Sequence, residues 1–154
     1  NEEFGLSGGK AYASDHAHEL SNIVAAVEAD TGAGEPQGFR VDLRNPSSGE
    51  RHEPTAEAAV QALVPYAELL SPLGADFLEV SWSGADISPM VKAGVPGLGL
   101  KHDTSGYWPV HHTTADTLDK IDPHTLRRNV AAMALMGWIL AEMPEPLPRV
   151  PAGP

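Results

Sequence analysis

Apolar and polar residues along this chain fall into short blocks that switch between a period near 3.6 and a period near two. The segment "SGGKAYASDHAHEL" carries helix-forming residues, with Ala11, Tyr12 and Leu20 on one side. "NIVAAVEAD" is a short apolar run with β-branched residues and a terminal acid, the pattern of a buried strand. An alternating stretch predicts a strand at about Phe39 to Leu43, closed by a Gly, Pro, Asn and Ser loop. "PTAEAAVQALVPYAELL" reads as a helix that Pro65 should kink or restart. "DFLEVSW" alternates like a strand, "ADISPMVKAG" reads as a short helix with Asp86 and Ser88 as capping residues, and "VPGLGLKH" as a further strand.

The clearest helix is "DPHTLRRNVAAMALMGWILAEM". Asp122 is placed to cap it and Pro123 suits its first turn, while Leu126, Val130, Met133, Ala134 and Trp138 form the expected apolar side. Helices alternating with strands predict an α/β sandwich around a largely parallel sheet, with ligands gathered at the carboxyl ends of the strands. The last eleven residues, 144–154, hold five prolines and read as a linker or disordered tail after one domain, 1–143.

Composition narrows the function. At 154 residues the chain can bury a core of its own. Its 21 acidic and 10 basic residues give a formal charge of -11, and no basic stripe offsets that field, so nucleic-acid binding is not expected. No apolar run approaches the roughly 20 residues of a membrane-spanning helix, so membrane insertion is not expected either. Without cysteine, any metal must be held by His, Asp and Glu.

Three places could hold such chemistry. Glu2 and Glu3 precede a glycine-rich entry to a helix; Asp30 closes a strand and is followed by Thr31 and Gly32; His111 and His112 sit in the loop before the last helix. Each also has an ordinary explanation. Glutamates suit the positive end of a helix dipole, Asp before Gly suits a turn, and a loop His pair is commonly solvated and idle. Tyr107 and Trp108 either line a pocket or cover the core beneath the loop. Asp116 and Thr117 are placed to brace the His loop. His16 and His18 read as helix surface, and His52, His102 and His124 as loop or capping residues.

Taken together, "NEEFGLSGGKAYA", "NIVAAVEADTGAG", "GADISPMVKAGVPGLGL" and "HHTTADTLDKID" resemble the co-catalytic dizinc exopeptidases, a family that includes bacterial leucyl aminopeptidase, aminopeptidase Y and plasma glutamate carboxypeptidase. The resemblance runs from Glu2 to about Met143, and the Glu-Ala-Asp variant and doubled His are most similar to the last of these branches. It implies a three-layer α/β sandwich with a mostly parallel central sheet. It implies Glu2 as the general base and Glu3, Asp30 and His112 as zinc ligands, with His111 and His112 exchanging roles if the doubled His shifts the match by one. Two neighbouring carboxylates that point apart are then required, one toward metal and one toward the attacking water.

The resemblance further implies two zincs per complete catalytic domain and a short peptide as substrate. Amino-, carboxy- and dipeptidase preferences all remain open. An exported protein, secreted or periplasmic, is expected. The family's His-x-Asp segment and bridging Asp belong upstream of the Glu pair and have no substitute here. The upstream half of the same catalytic domain is therefore an expected partner, and the chain alone is expected to be inactive and to expose one face of its sheet. The competing reading is a non-catalytic peptidase-like domain that serves protein binding.

Overall fold

A computed structural model of the chain describes residues 2–151. A single turn of 3-10 helix at Glu2–Phe4 leads into α1 (Ser7–Asp15). Then follow β1 (Ala26–Glu28), β2 (Pro36–Asp42), α2 (Glu53–Leu70), β3 (Phe77–Val80), α3 (Ser88–Lys92), β4 (Gly97–His102) and α4 (Pro123–Glu142). The four strands lie in the order β1-β4-β2-β3. β1 runs parallel to β4 and β3 parallel to β2, while β2 and β4 are antiparallel, so the mixed sheet is mostly parallel.

Period-two patterning sends Phe39 and Val41 of β2 and Leu98 and Leu100 of β4 onto one face. There they bury against Ala56, Ala59 and Leu63 of α2 and Ala132, Met136 and Ile139 of α4. On the other face α3 packs through Val91, with Val95, Ala26, Ile87 and Leu20 completing a second apolar cluster. Glycine in β4 permits this approach: a Cβ on Gly97 would lie 2.5 Å from both the Val91 side chain and Ser83 Oγ. Helices thus sit on both faces, but α3 covers the second face only beside β1 and β4. Over β2 and β3 that face carries Arg40, Phe77, Glu79 and Lys101, with Phe77 50% exposed, so part of the expected open sheet face is present.

Three expectations are corrected. α2 continues through Pro65 without restarting. The proline is exposed, and the carbonyl it strands, on exposed Gln61, is open to water. The described part of the proline-rich tail is not a loose linker: Leu147 and Val150 are buried in the main core. Arg149 donates to the carbonyls of Leu20 (3.1 Å), Gly94 (3.4 Å) and Ile23, and burial pushes its guanidinium below its usual value. Residues 152–154 of that tail lie outside the described residues.

The third correction concerns α4. Asp122 caps it as expected, accepting from the His124 N–H at 2.8 Å. The buried side, however, carries Thr125, Asn129, Ala132, Met136, Ile139 and Leu140, whereas Leu126, Val130, Ala134 and Trp138 of the expected apolar side are exposed. The helix turns its polar residues inward because they have partners there. Thr125 Oγ1 donates to Ala33 O at 2.8 Å, and Asn129 Nδ2 donates to Gly34 O at 2.8 Å and to Thr125 O at 2.9 Å. Trp138, 64% exposed, is therefore dispensable for folding. Trp138→Gln should change unfolding free energy by no more than about 0.5 kcal/mol in urea titrations. A loss above about 2 kcal/mol would place it in the core after all.

Candidate metal centre and its surroundings

The Glu pair occupies a tight turn. The N–H groups of Gly5 and Leu6 both return to the carbonyl of Glu2, at 3.2 and 3.4 Å, which folds Glu2–Phe4 into one 3-10 turn. Leu6 then enters α1 in the left-handed conformation, with φ of 60°. Both carboxylates are exposed.

From the loop between β4 and α4, His112 arrives opposite Glu3. Its Nε2 lies 2.7 Å from Glu3 Oε1, with both side chains about three-fifths exposed (60% and 62%). The His111 ring lies against both Tyr107 (centroids 4.6 Å apart) and His112 (3.7 Å). Thr113 shapes the turn, donating from Oγ1 to Val110 O at 2.6 Å and accepting from Ala115 N at 3.1 Å. The Lys120 ammonium and, next, the Thr117 hydroxyl (2.5 Å) donate to Asp119 and hold its carboxyl down to about 2. Thr113 thus braces the His loop more directly than the anticipated pair of Asp116 and Thr117.

Asp30 lies just past β1, where its Oδ1 accepts from the Thr31 N–H at 2.7 Å. It shares a small recess with Glu28, Arg40 and Trp82, and among the described residues it joins no cluster of metal-binding side chains with Glu3 and His112. Among the described residues, no three of His, Asp and Glu come close enough to hold a metal ion. The structure therefore unites Glu3 with His112 and leaves Asp30 apart from them. Their donor types, carboxylate oxygen and imidazole nitrogen, are the ones zinc accepts.

Tyr107 stands in the field of all three segments. Burial, and then the negative charges of Asp30, Asp116, Glu3 and Glu2, push its phenol above the ordinary tyrosine value. It stays protonated in neutral solution and can donate a hydrogen bond. The same side chain walls a cavity of about 430 Å³ with Gly32, Val110, Asp116, Lys120 and Ile121. Tyr107 is thus a pocket residue, whereas Trp108, 61% exposed, neither lines that cavity nor covers the core.

The segment behind Asp30 is tied down residue by residue. His102 holds Thr31, Thr125 holds Ala33, Asn129 holds Gly34, and Arg128 pairs with Glu35. Thr31 is left-handed at φ 72° and His112 at φ 58°. With Leu6 these are the three non-glycine residues of positive φ among the described residues, one in each candidate segment. Backbone strain of this kind concentrates at functional sites because the surroundings must over-determine it.

Glu28 performs a task that sequence reading gave to Asp86 and Ser88. No side chain caps α3. Instead, the Glu28 carboxylate accepts from the N–H groups of Ala85 and Ile87, each at 3.0 Å, and so fastens β1 to the entry of α3. Gly84 is needed beside it, since a Cβ there would fall 2.2 Å from the carboxyl carbon. Burial raises the Glu28 carboxyl above its usual value; the two N–H bonds oppose this, and Asp86 and Asp30 add to it. A charged residue inside an otherwise apolar strand was the available signal for Glu28. His102 had no such signal, since a polar residue at a strand end is ordinary.

Comparison with known proteins matches residues 1–136 to the model of peptidase family M28. The chain is 32% identical over 148 residues to carboxypeptidase Q of Pongo abelii and 31% identical to that of Xenopus laevis. In both cases the match takes in 96% of this chain and 29% of the relative, so the chain spans less than a third of these curated relatives. A crystal structure of a peptidase M28 precursor from Shewanella amazonensis superposes with a TM-score of 0.81 and 34% identity, covering the whole chain and 32% of that protein. A family match over most of the sequence, agreeing with the expected α/β sandwich, assigns the chain to peptidase family M28, a family that implies zinc dependence.

Proposed function

We propose that the chain forms part of the catalytic domain of a zinc exopeptidase that removes residues from an end of short peptides. The observation that carries this is the convergence of Glu3 and His112, more than a hundred residues apart in the sequence, at 2.7 Å. Glu3, Asp30 and His112 would hold zinc, with further donors drawn from outside these residues; the chain spans 29% of the relative it matches. Bound zinc supplies an activated water, its pKa lowered toward about 7, and polarises the scissile carbonyl.

The chain's own groups do the rest. Glu2, adjacent to Glu3, accepts the proton from the attacking water and returns it to the leaving amine. Tyr107, protonated and near both acids, orients the substrate by donating a hydrogen bond. The cavity beside Tyr107 receives the adjoining part of the peptide.

Two measurements test this. The 154-residue chain alone, given zinc and dipeptide or aminoacyl substrates, should show no turnover, because only two of its candidate donors meet. The full-length protein should bind two zincs and turn over. Full-length protein with no bound zinc and no hydrolysis would favour the non-catalytic binding domain, and turnover by the isolated chain would overturn the need for further donors.

A further inference from the structure

We propose that His102 is a positioning residue for Asp30, acting through the backbone of Thr31; this rests on the reading of Asp30 as a zinc ligand. His102 is the last residue of β4 and only 3% exposed. Its Nε2 lies 3.0 Å from Thr31 O and 3.1 Å from Thr31 Oγ1. A carbonyl oxygen only accepts, so Nε2 carries the hydrogen and donates it. Nδ1 is then a buried acceptor, and among the described residues it has no partner. Leaving such an atom unsatisfied is unfavourable, and an apolar side chain would avoid it. Packing alone therefore does not account for a histidine here; its bond to Thr31 does.

Thr31 is β-branched and sits at φ 72°, a region that such residues avoid because Cβ crowds the backbone. Two contacts keep it there. On one side its carbonyl and hydroxyl meet the His102 ring, and on the other its N–H donates to Asp30 Oδ1 at 2.7 Å. The ring and the Asp30 carboxylate thus grip the two peptide groups that flank the Thr31 Cα, one from the sheet core and one from the rim. Without the ring, Thr31 relaxes to negative φ, its N–H swings away, and the Asp30 carboxylate loses its fixed direction. Ala33, Gly34 and Glu35 keep their own anchors on α4, so the effect is confined to the start of the loop.

The experiment compares full-length wild type, His102→Leu and His102→Gln, and repeats His102→Leu in a Thr31→Gly background. Zinc affinity is measured by chelator competition, and φ at residue 31 from crystal structures. His102→Leu should return Thr31 to negative φ and weaken zinc binding by about 10- to 100-fold, the usual size of an outer-partner effect. Gln, whose terminal N–H reaches about as far as Nε2, should restore both. In the Thr31→Gly background the loss should shrink, because glycine takes the left-handed conformation without steric cost. If His102→Leu does not fold, His102→Asn, polar but too short to reach the Thr31 carbonyl, should give the same loss. A folded variant with Thr31 still left-handed and zinc affinity unchanged overturns the proposal. If Thr31 flips while zinc affinity holds, the control of the turn by His102 stands and the ligand reading of Asp30 falls.

Discussion

In the full-length protein, Glu2→Gln is expected to lower kcat by about 10²- to 10⁴-fold, the range for removal of a general acid–base group. KM and bound zinc should be nearly unchanged. The asymmetry follows from the geometry. Glu3 contributes its carboxylate to the contact with His112, whereas the Glu2 side chain forms no hydrogen bond or ion pair among the described residues and its backbone carbonyl serves the turn. Gln keeps that carbonyl and the side chain's shape, so the turn survives and only proton transfer is lost. Glu3→Gln should behave differently and lose zinc as well as turnover. Parallel measurement of kcat, KM and zinc content separates the two roles; equal zinc loss in both variants would remove Glu2 from the part of base.

Asp42→Ala should destabilise the fold by about 3 kcal/mol, as expected when one member of a buried ionic group is deleted. Asp42 ends β2 and is 1% exposed. Its two oxygens have separate partners, Oδ2 accepting from Arg44 Nε at 3.1 Å and Oδ1 from Arg51 Nε at 3.0 Å. The two arginines also face each other across an antiparallel bridge, and Arg44 donates on to Gly49 O at 3.2 Å. One carboxylate thus closes the 44–51 loop onto the sheet. Its removal leaves two guanidinium groups largely out of water without an anion. Urea denaturation measures the cost, and added salt should alter it little because a buried group is weakly screened. A loss below about 1 kcal/mol would mean that water replaces the carboxylate at both guanidinium groups.

Much of the architecture was legible because its signals are local. β3 and β4 follow from alternation, and the start of α4 from Asp122 and Pro123. The orientation of α4 was not legible. Periodicity assigns Leu126, Val130 and Trp138 inward, but Thr125 and Asn129 take the interior because carbonyls of Ala33 and Gly34, nearly a hundred residues earlier, face them. A polar side chain with a distant partner is indistinguishable in sequence from one facing water. The tail was misjudged for a related reason: prolines exclude helix but not burial, and Leu147 and Val150 between them are apolar enough to join the core. For the site, residue types marked Glu2, Glu3, Asp30 and His112 only weakly, and family likeness singled them out. The meeting of Glu3 with His112 depends on long-range folding that spacing alone does not encode.

The reversed direction of β2 has a consequence for how this scaffold can vary. Since β1 and β2 flank β4 from opposite sides, the connection 29–35 must arch over the end of β4. It crosses two strand spacings, about 10 Å. A Cβ on Gly34 would fall 2.0 Å from Asp103 O, so the arch rests directly on the strand below and tolerates neither bulk nor slack. The opposite wall, drawn from the longer connection between β4 and α4, has no comparable roof to support. Length changes that reshape the cavity are therefore accommodated on that wall, while the arch keeps one length.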